Sequence, residues 1–343
     1  MKKLALAIIV SLLAIASVSA AVISSPAATV YLIKNTVITT DQLNAEVEKY
    51  KAMGAGEVNP VDVLNLMIND EVFLQGAERD GVNISDSYVD LLYAQQKVSI
   101  EQQAGQSITE SQFQEMINQQ FGSVDAYRQY LKENAVVSAY LQMKKANEVS
   151  NYKQPTASEI NSFYRKNSSM WVQPEYVEFA HIYKEKSDSQ SENNAKKAEL
   201  EKASKEITSG AISFEEAVSK YSDDKESAAN GGYLGYLTAD NTTARTGWGD
   251  DFCDELLSTE PGTITGVMES LTGYHIVSII SHENTRILSL DDRITPDTDT
   301  TVREYIQYIL TQQNAETAYN NALSSLIAEL RNQARINIIY KEK

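Results

Sequence analysis

The chain has 343 residues, 47 acidic and 30 basic side chains, and a net charge of −17. That length exceeds one ordinary domain, and 42% hydrophobic residues suit packed cores rather than a disordered chain. The acidic balance excludes a phosphate-reading surface and electrostatic docking on anionic lipid. The single cysteine, Cys253, excludes an intrachain disulfide framework and any multi-cysteine metal site.

Lys2 and Lys3 precede a nearly unbroken apolar run over residues 4–16, and Val18-Ser19-Ala20 offers a signal-peptidase pattern. The run falls short of the roughly 20 apolar residues that spanning requires. Residues 1–20 are therefore expected to be a cleaved signal peptide. The mature protein would be exported, periplasmic or alternatively extracellular, with no stable membrane insertion.

Residues 30–33 and 36–38 read as short strands about a turn at Lys34-Asn35. Helices follow. One over 61–80 carries Val63, Leu64, Met67, Ile68, Val72 and Leu74 at helical period and ends at Gly81. Ser85 caps another, and two more cover 109–121 and 123–149. Residues 151–157, with Pro155, read as a linker before a short helix with Ile160, Phe163 and Tyr164. Beyond Pro174 the pattern alternates, placing Val177, Phe179, His181 and Tyr183 on one strand face. A helix over 191–209 stops at Gly210, and Ser213-Phe214-Glu215-Glu216 is a capping box. A glycine-rich stretch, a loop over 238–247, a short helix over 250–257 and strands over 264–268 and 274–281 complete an α+β unit. After an acidic loop over 291–300, an apolar stripe from Val302 to Leu330 marks a helix over 302–333, and 336–340 reads as a strand. Such a stripe does not stay in water. Residues 284–343 are expected to return to the N-terminal helices, with 336–339 pairing beside 30–33.

Three constellations compete for chemistry. A Ser/His/Asp triad lacks a Gly-x-Ser-x-Gly elbow. A metal site on His275 and His282 fails because seven residues along a strand put them on opposite faces, about 23 Å apart. The third is an ordered set. It runs from Glu178-Phe179-Ala180-His181-Ile182-Tyr183-Lys184 through Tyr221-Ser222-Asp223-Asp224 to Asn230-Gly231-Gly232-Tyr233-Leu234-Gly235-Tyr236. A helix with Phe252 comes next, then Glu260-Pro261-Gly262-Thr263-Ile264 and Thr272-Gly273-Tyr274-His275-Ile276.

In order and spacing this set resembles the parvulin family of peptidyl-prolyl cis–trans isomerases over residues 175–283, and residues 65–86 resemble the N-terminal domain of SurA/PrsA-type envelope folding factors. The resemblance implies an α+β multidomain protein. A helical chaperone domain (21–173, completed by 284–343) would carry an inserted parvulin domain (174–283) with a small antiparallel sheet and helices. It implies an exported isomerase and chaperone of unfolded or extended proline-containing polypeptides, with no cofactor, metal or nucleic acid. The alternative is a catalytically silent parvulin-fold chaperone. His181 and His275 would be the paired core histidines, Thr272 the hydroxyl orienting one of them, and Asp224 the group facing the substrate carbonyl. Leu234 and Phe252 would wall the proline pocket, with Trp248 where the family usually has Met. The chemistry suits such a set. Turning a prolyl bond opposes a barrier of about 18–20 kcal/mol without breaking any bond, so a shaped apolar pocket and polar groups that favour the twisted amide suffice.

Overall fold

The computed structural model describes residues 24–54 and 56–341. The expected signal peptide lies outside them. No helix among the described residues is long and apolar enough to cross a membrane. The chain divides into two units. One holds the chain up to Gln154 together with the part from Gln312 onward, and the other holds Pro155–Thr311.

The first unit opens with a hairpin, β1 (Pro26–Tyr31) and β2 (Asn35–Thr39), longer than the pattern predicts. Helices α1 (Thr40–Ala52), α2 (Pro60–Arg79), α3 (Asp86–Ala104), α4 (Glu110–Phe121) and α5 (Val124–Ser150) follow. Helix α1 escapes the periodicity reading because it buries only Leu43, Glu46 and Val47. Its start is written instead in a capping box, Thr39 with Gln42. The hairpin turn rests on Gln75, which is fully buried. Its Oε1 accepts from the backbone N–H of Leu32, Ile33 and Lys34 at 2.9, 3.0 and 3.3 Å. Gln75→Leu would strip all three donors of their acceptor. Urea denaturation of the first unit should register a loss of about 2–3 kcal/mol. A loss below about 0.5 kcal/mol would mean that water replaces the side chain without cost.

The second unit begins with α6 (Ala157–Lys166), a 3-10 turn (Ser168–Trp171) and β3 (Val172–Gln173). Next come β4 (Tyr176–Glu185), α7 (Gln190–Thr208), α8 (Phe214–Tyr221), α9 (Lys225–Ala228) and β5 (Tyr233–Thr238). The loop expected over 238–247 is largely helix α10 (Thr242–Trp248), capped by Asn241 and followed by α11 (Asp250–Ser258). The strand expected over 264–268 shrinks to β6 (Met268–Glu269), with a single bridge from Ile264 to Ser278. Strand β7 (Gly273–Glu283) and β8 (Arg286–Ile287) close the series, and β8 pairs with β3. The main sheet is antiparallel in the order β5-β4-β7-β6. One of its faces packs on α11 through Val177, Phe179, Leu237, Phe252 and Leu256. The other packs on α7 and α8 through Ile182, Leu200, Val218 and Ile276.

Helix α12 (Val302–Gln333) runs from the second unit into the first, and its stripe divides between two cores. Val302 and Ile306 join Ile160 of α6, Trp171 and Leu288. Ala322, Leu323, Leu326 and Leu330 join Leu64, Met67, Ile68 and Tyr140 in the core of the first unit. Gly76 permits that approach, because an added Cβ would lie 2.6 Å from a Leu330 methyl carbon. Strand β9 (Arg335–Ile338) then pairs antiparallel with β1, with Val30 opposite Ile336.

Candidate active site

The site grows from the register of β4 and β7. His181 lies opposite Val277 and Tyr183 opposite His275, so the two histidines are diagonal neighbours on one sheet face. Their Nδ1 atoms are 3.2 Å apart. Both rings are buried, at 4% and 1% exposure, where a charge is costly. Burial, with His181 and Lys186 nearby, pushes His275 down to about 3. Burial also lowers His181, partly offset by Asp224.

Asp224 caps α9, accepting at Oδ1 from the backbone N–H of Glu226 and Ser227. Its Oδ2 accepts from the Ser227 hydroxyl at 2.6 Å and lies 3.1 Å from His181 Nε2. Burial would raise this carboxyl, but the hydrogen bonds from Ser227 and His181 outweigh it and hold the group at about 2. The Asp224–His181 contact is thus a hydrogen bond from a neutral imidazole to an anion rather than an ion pair.

These contacts assign every proton in the row. Asp224 can only accept, so His181 Nε2 carries the proton. Neutral His181 then accepts at Nδ1, and His275 Nδ1–H donates to it. Neutral His275 accepts at Nε2, where the Ser270 hydroxyl lies 2.8 Å away. Ser270 Oγ in turn receives the Thr272 and Gly273 N–H groups at 3.2 and 3.1 Å. All the donors point toward Asp224.

Aromatic rings enclose the pair. Phe252 lies 4.5 Å from His275 between ring centroids. Tyr183 stacks on His181 at 5.6 Å, within 6° of parallel, and lies 5.0 Å from His275. Its hydroxyl donates to the Thr272 carbonyl at 2.9 Å. Only glycine at 273 allows this, since a Cβ there would fall 2.2 Å from the tyrosine ring. Gly232, at φ +80°, serves β5 similarly: a Cβ would meet the His181 carbonyl oxygen at 2.4 Å. Trp248 packs edge-on against Phe179 and Phe252, each at 5.9 Å, and Leu234 packs on the same core. Leu271, 65% exposed, lies against Gly249 and donates its N–H to the Trp248 carbonyl.

The family model described as rotamase, PPIC-type PPIase domain, matches residues 181–281, the span that holds both histidines, Asp224 and the aromatic wall. Residues 181–281 thus form a parvulin-type domain. It resembles the chaperone SurA of Methylobacillus flagellatus, 29% identical over 222 residues, which cover 64% of this chain and 46% of that protein. It also resembles the foldase protein PrsA of Clostridium kluyveri, 30% identical over 136 residues, covering 39% and 36%. The chain spans about half the length of the SurA relatives it matches. Among solved structures, a SurA-like chaperone of Campylobacter jejuni aligns over 91% of this chain and all of its own, at 16% identity and a TM-score of 0.35.

Within the parvulin domain, one expected residue gives way to another. The hydroxyl on His275 belongs to Ser270, not to Thr272, whose Oγ1 lies 3.3 Å from Ser270 Oγ. The turn at 270–273 carries the Thr272 side chain past the imidazole and brings Ser270 beneath it. Ser270 is 4% exposed, five residues ahead of His275, and that burial cannot be read from a string of hydroxyl residues. Sequence reasoning also passed over Ser227, Tyr183 as a ring on both histidines, and Leu271. His181, His275, Asp224, Phe252, Trp248 and Leu234 do converge.

Proposed function

We propose that the parvulin domain is a peptidyl-prolyl isomerase acting on extended client polypeptides, within an exported protein whose helical unit holds unfolded clients. The observation that carries this reading is the proton row ending on an anionic Asp224 beside an apolar wall of Leu234, Phe252 and Trp248. In a planar amide the nitrogen lone pair places negative charge on the carbonyl oxygen. Twisting returns the pair to nitrogen and removes that charge. A fixed carboxylate beside the oxygen therefore disfavours the planar form more than the twisted one, which lowers the barrier. The neutral histidines hold Asp224 in place without cancelling its charge. Ser270 completes the row by donating its hydroxyl proton to His275 Nε2. The SurA and PrsA relatives support the chaperone part of the reading and export alike.

A second reading, a chaperone that binds proline segments without turning them, draws on Trp248. Its indole covers both Phe179 and Phe252 and narrows the wall where a proline ring would sit. The assay is isomerisation of an Xaa–Pro peptide by wild type and Trp248→Met. A rate above the uncatalysed one, increased about three- to tenfold by the smaller side chain, supports the isomerase. Uncatalysed rates for both folded proteins would leave the binding module.

A further inference from the structure

On the sheet face opposite the histidines, strands β4 and β5 form a cleft of about 240 Å³. Its walls include Glu178, Tyr233, Tyr236 and Leu234, with Pro296 and Asp297 from the acidic loop. Glu178 and Tyr236 are register partners, and the Tyr176 ring meets Tyr236 edge-on at 5.7 Å. Glu178 accepts from the Ser281 hydroxyl at 2.8 Å. Asp297 accepts from Thr295 at 2.6 Å and from the Tyr236 hydroxyl at 3.4 Å.

The carboxylates nearby have cationic or imidazole partners. Asp291 pairs with Arg303, Asp292 with Arg286, Asp299 with Arg293, and Glu175 with His282. Among the described residues Glu178 and Asp297 have none, and no basic side chain lines the cleft. After burial, Glu178 and Asp297 raise Tyr233, and Asp297 raises Tyr236, so the cavity holds a standing negative field. Among the described residues no group of three His, Cys, Asp or Glu side chains could hold a metal ion. Two tyrosines and two carboxylates lining one cleft instead match an organic cation, which gains from both aromatic rings and the charges.

We propose that this cleft binds the ammonium or guanidinium group of a basic side chain on an extended client polypeptide. The proposal rests on the reading that the domain receives polypeptide. Leu234 lines the cleft and also packs on the core that includes Phe252. An extended chain advances about 3.3 Å per residue, so a basic residue a few positions from a bound proline would reach the cleft.

The test is an NMR titration of the mature protein with N-acetyl-lysine methylamide, with the norleucine analogue as neutral control. Saturable shifts at Tyr233, Gly235 and Tyr236 are expected for lysine and not for norleucine. The double variant Glu178→Gln with Asp297→Asn should weaken binding about tenfold or more, as should raising NaCl from about 0.02 M to about 0.5 M. Equal shifts for norleucine, or unchanged binding in the double variant, would overturn the site. Where the wild type isomerises, the double variant should also lose a preference for Lys over norleucine near proline while keeping its kcat/KM for the neutral peptide. Where it does not, the titration alone decides, so failure of the isomerase reading and failure of this one are distinct results.

Discussion

Asp224→Asn is expected to lower kcat/KM for an Xaa–Pro peptide about a hundredfold, with the domain still folded. The substitution preserves size but removes the charge proposed to act on the amide. It also brings an NH2 group where only acceptors fit. Oδ1 takes the Glu226 and Ser227 N–H groups, and Oδ2 takes the Ser227 hydroxyl and His181 Nε2–H. An asparagine must give up either the cap or the histidine. If it keeps the cap, His181 meets a donor, and the proton row through His275 to Ser270 loses its fixed direction. Circular dichroism should remain unchanged while turnover falls. Wild-type turnover should be flat from pH 7 to 9, since Asp224 near 2 and His275 near 3 hold one charge state there and burial keeps His181 below its ordinary value. It should fall only in acid, as His181 gains a proton below its ordinary range. Wild-type kcat/KM in the asparagine variant would remove Asp224 from the mechanism.

The two units should respond to acid in opposite directions. In the first unit, Asp70 on α2 faces Glu46 and Lys49 on α1 and Glu133 on α5. Asp70 Oδ2 and Glu133 Oε2 are buried without a hydrogen-bond partner. Burial, then Glu46 and Glu133, raise Asp70 to about 7, and burial raises Glu133 to about 6. For a carboxyl whose folded pKa is raised, the folded chain holds more protons than the unfolded one. Its contribution is complete below the unfolded pKa and is lost as pH rises through the folded one. Lowering pH from 7.5 to 5 should therefore stabilise this unit by about 3 kcal/mol.

His275 works in the other sense. Its folded pKa lies below the unfolded value of 6.5, so the unfolded chain takes the proton first. The same acid shift should cost the parvulin domain about 2 kcal/mol from that group. Hydrogen exchange, corrected for intrinsic rates, should slow in peptides within 40–149 and quicken in peptides within 176–283. Asp70→Asn should stabilise the first unit at pH 7.5 and flatten its response. Parallel responses of both units, or an unflattened response in the variant, would show that these buried groups do not control the pH dependence.

Much of the architecture is local and therefore legible in the chain. Capping residues Ser85, Thr109, Ser123 and Ser213 sit at observed helix starts because each side chain accepts from the backbone N–H three residues ahead. Alternation along 176–183 places Val177, Phe179 and His181 on one face for the same reason of short-range geometry. The ordered parvulin set names the histidines, Asp224, Phe252 and Leu234 by order and spacing alone.

Other features depend on which distant segments meet. Val302 and Leu330 look alike in sequence, yet one packs with Trp171 and Leu288 and the other with the core of α2 and α5. Ser270 and Thr272 are equivalent hydroxyls on paper, and only the turn beneath β7 chooses between them. The carboxylates of Asp70, Glu46 and Glu133 lie on three helices, where spacing along any one of them says nothing of their encounter. The sequence by itself determined most of the elements, apart from α1 and α10, and most of the residue set of the site, apart from Ser270. Tertiary structure decided the partners, because burial and hydrogen-bond distance depend on segments up to hundreds of residues apart, and those two quantities assign the protons.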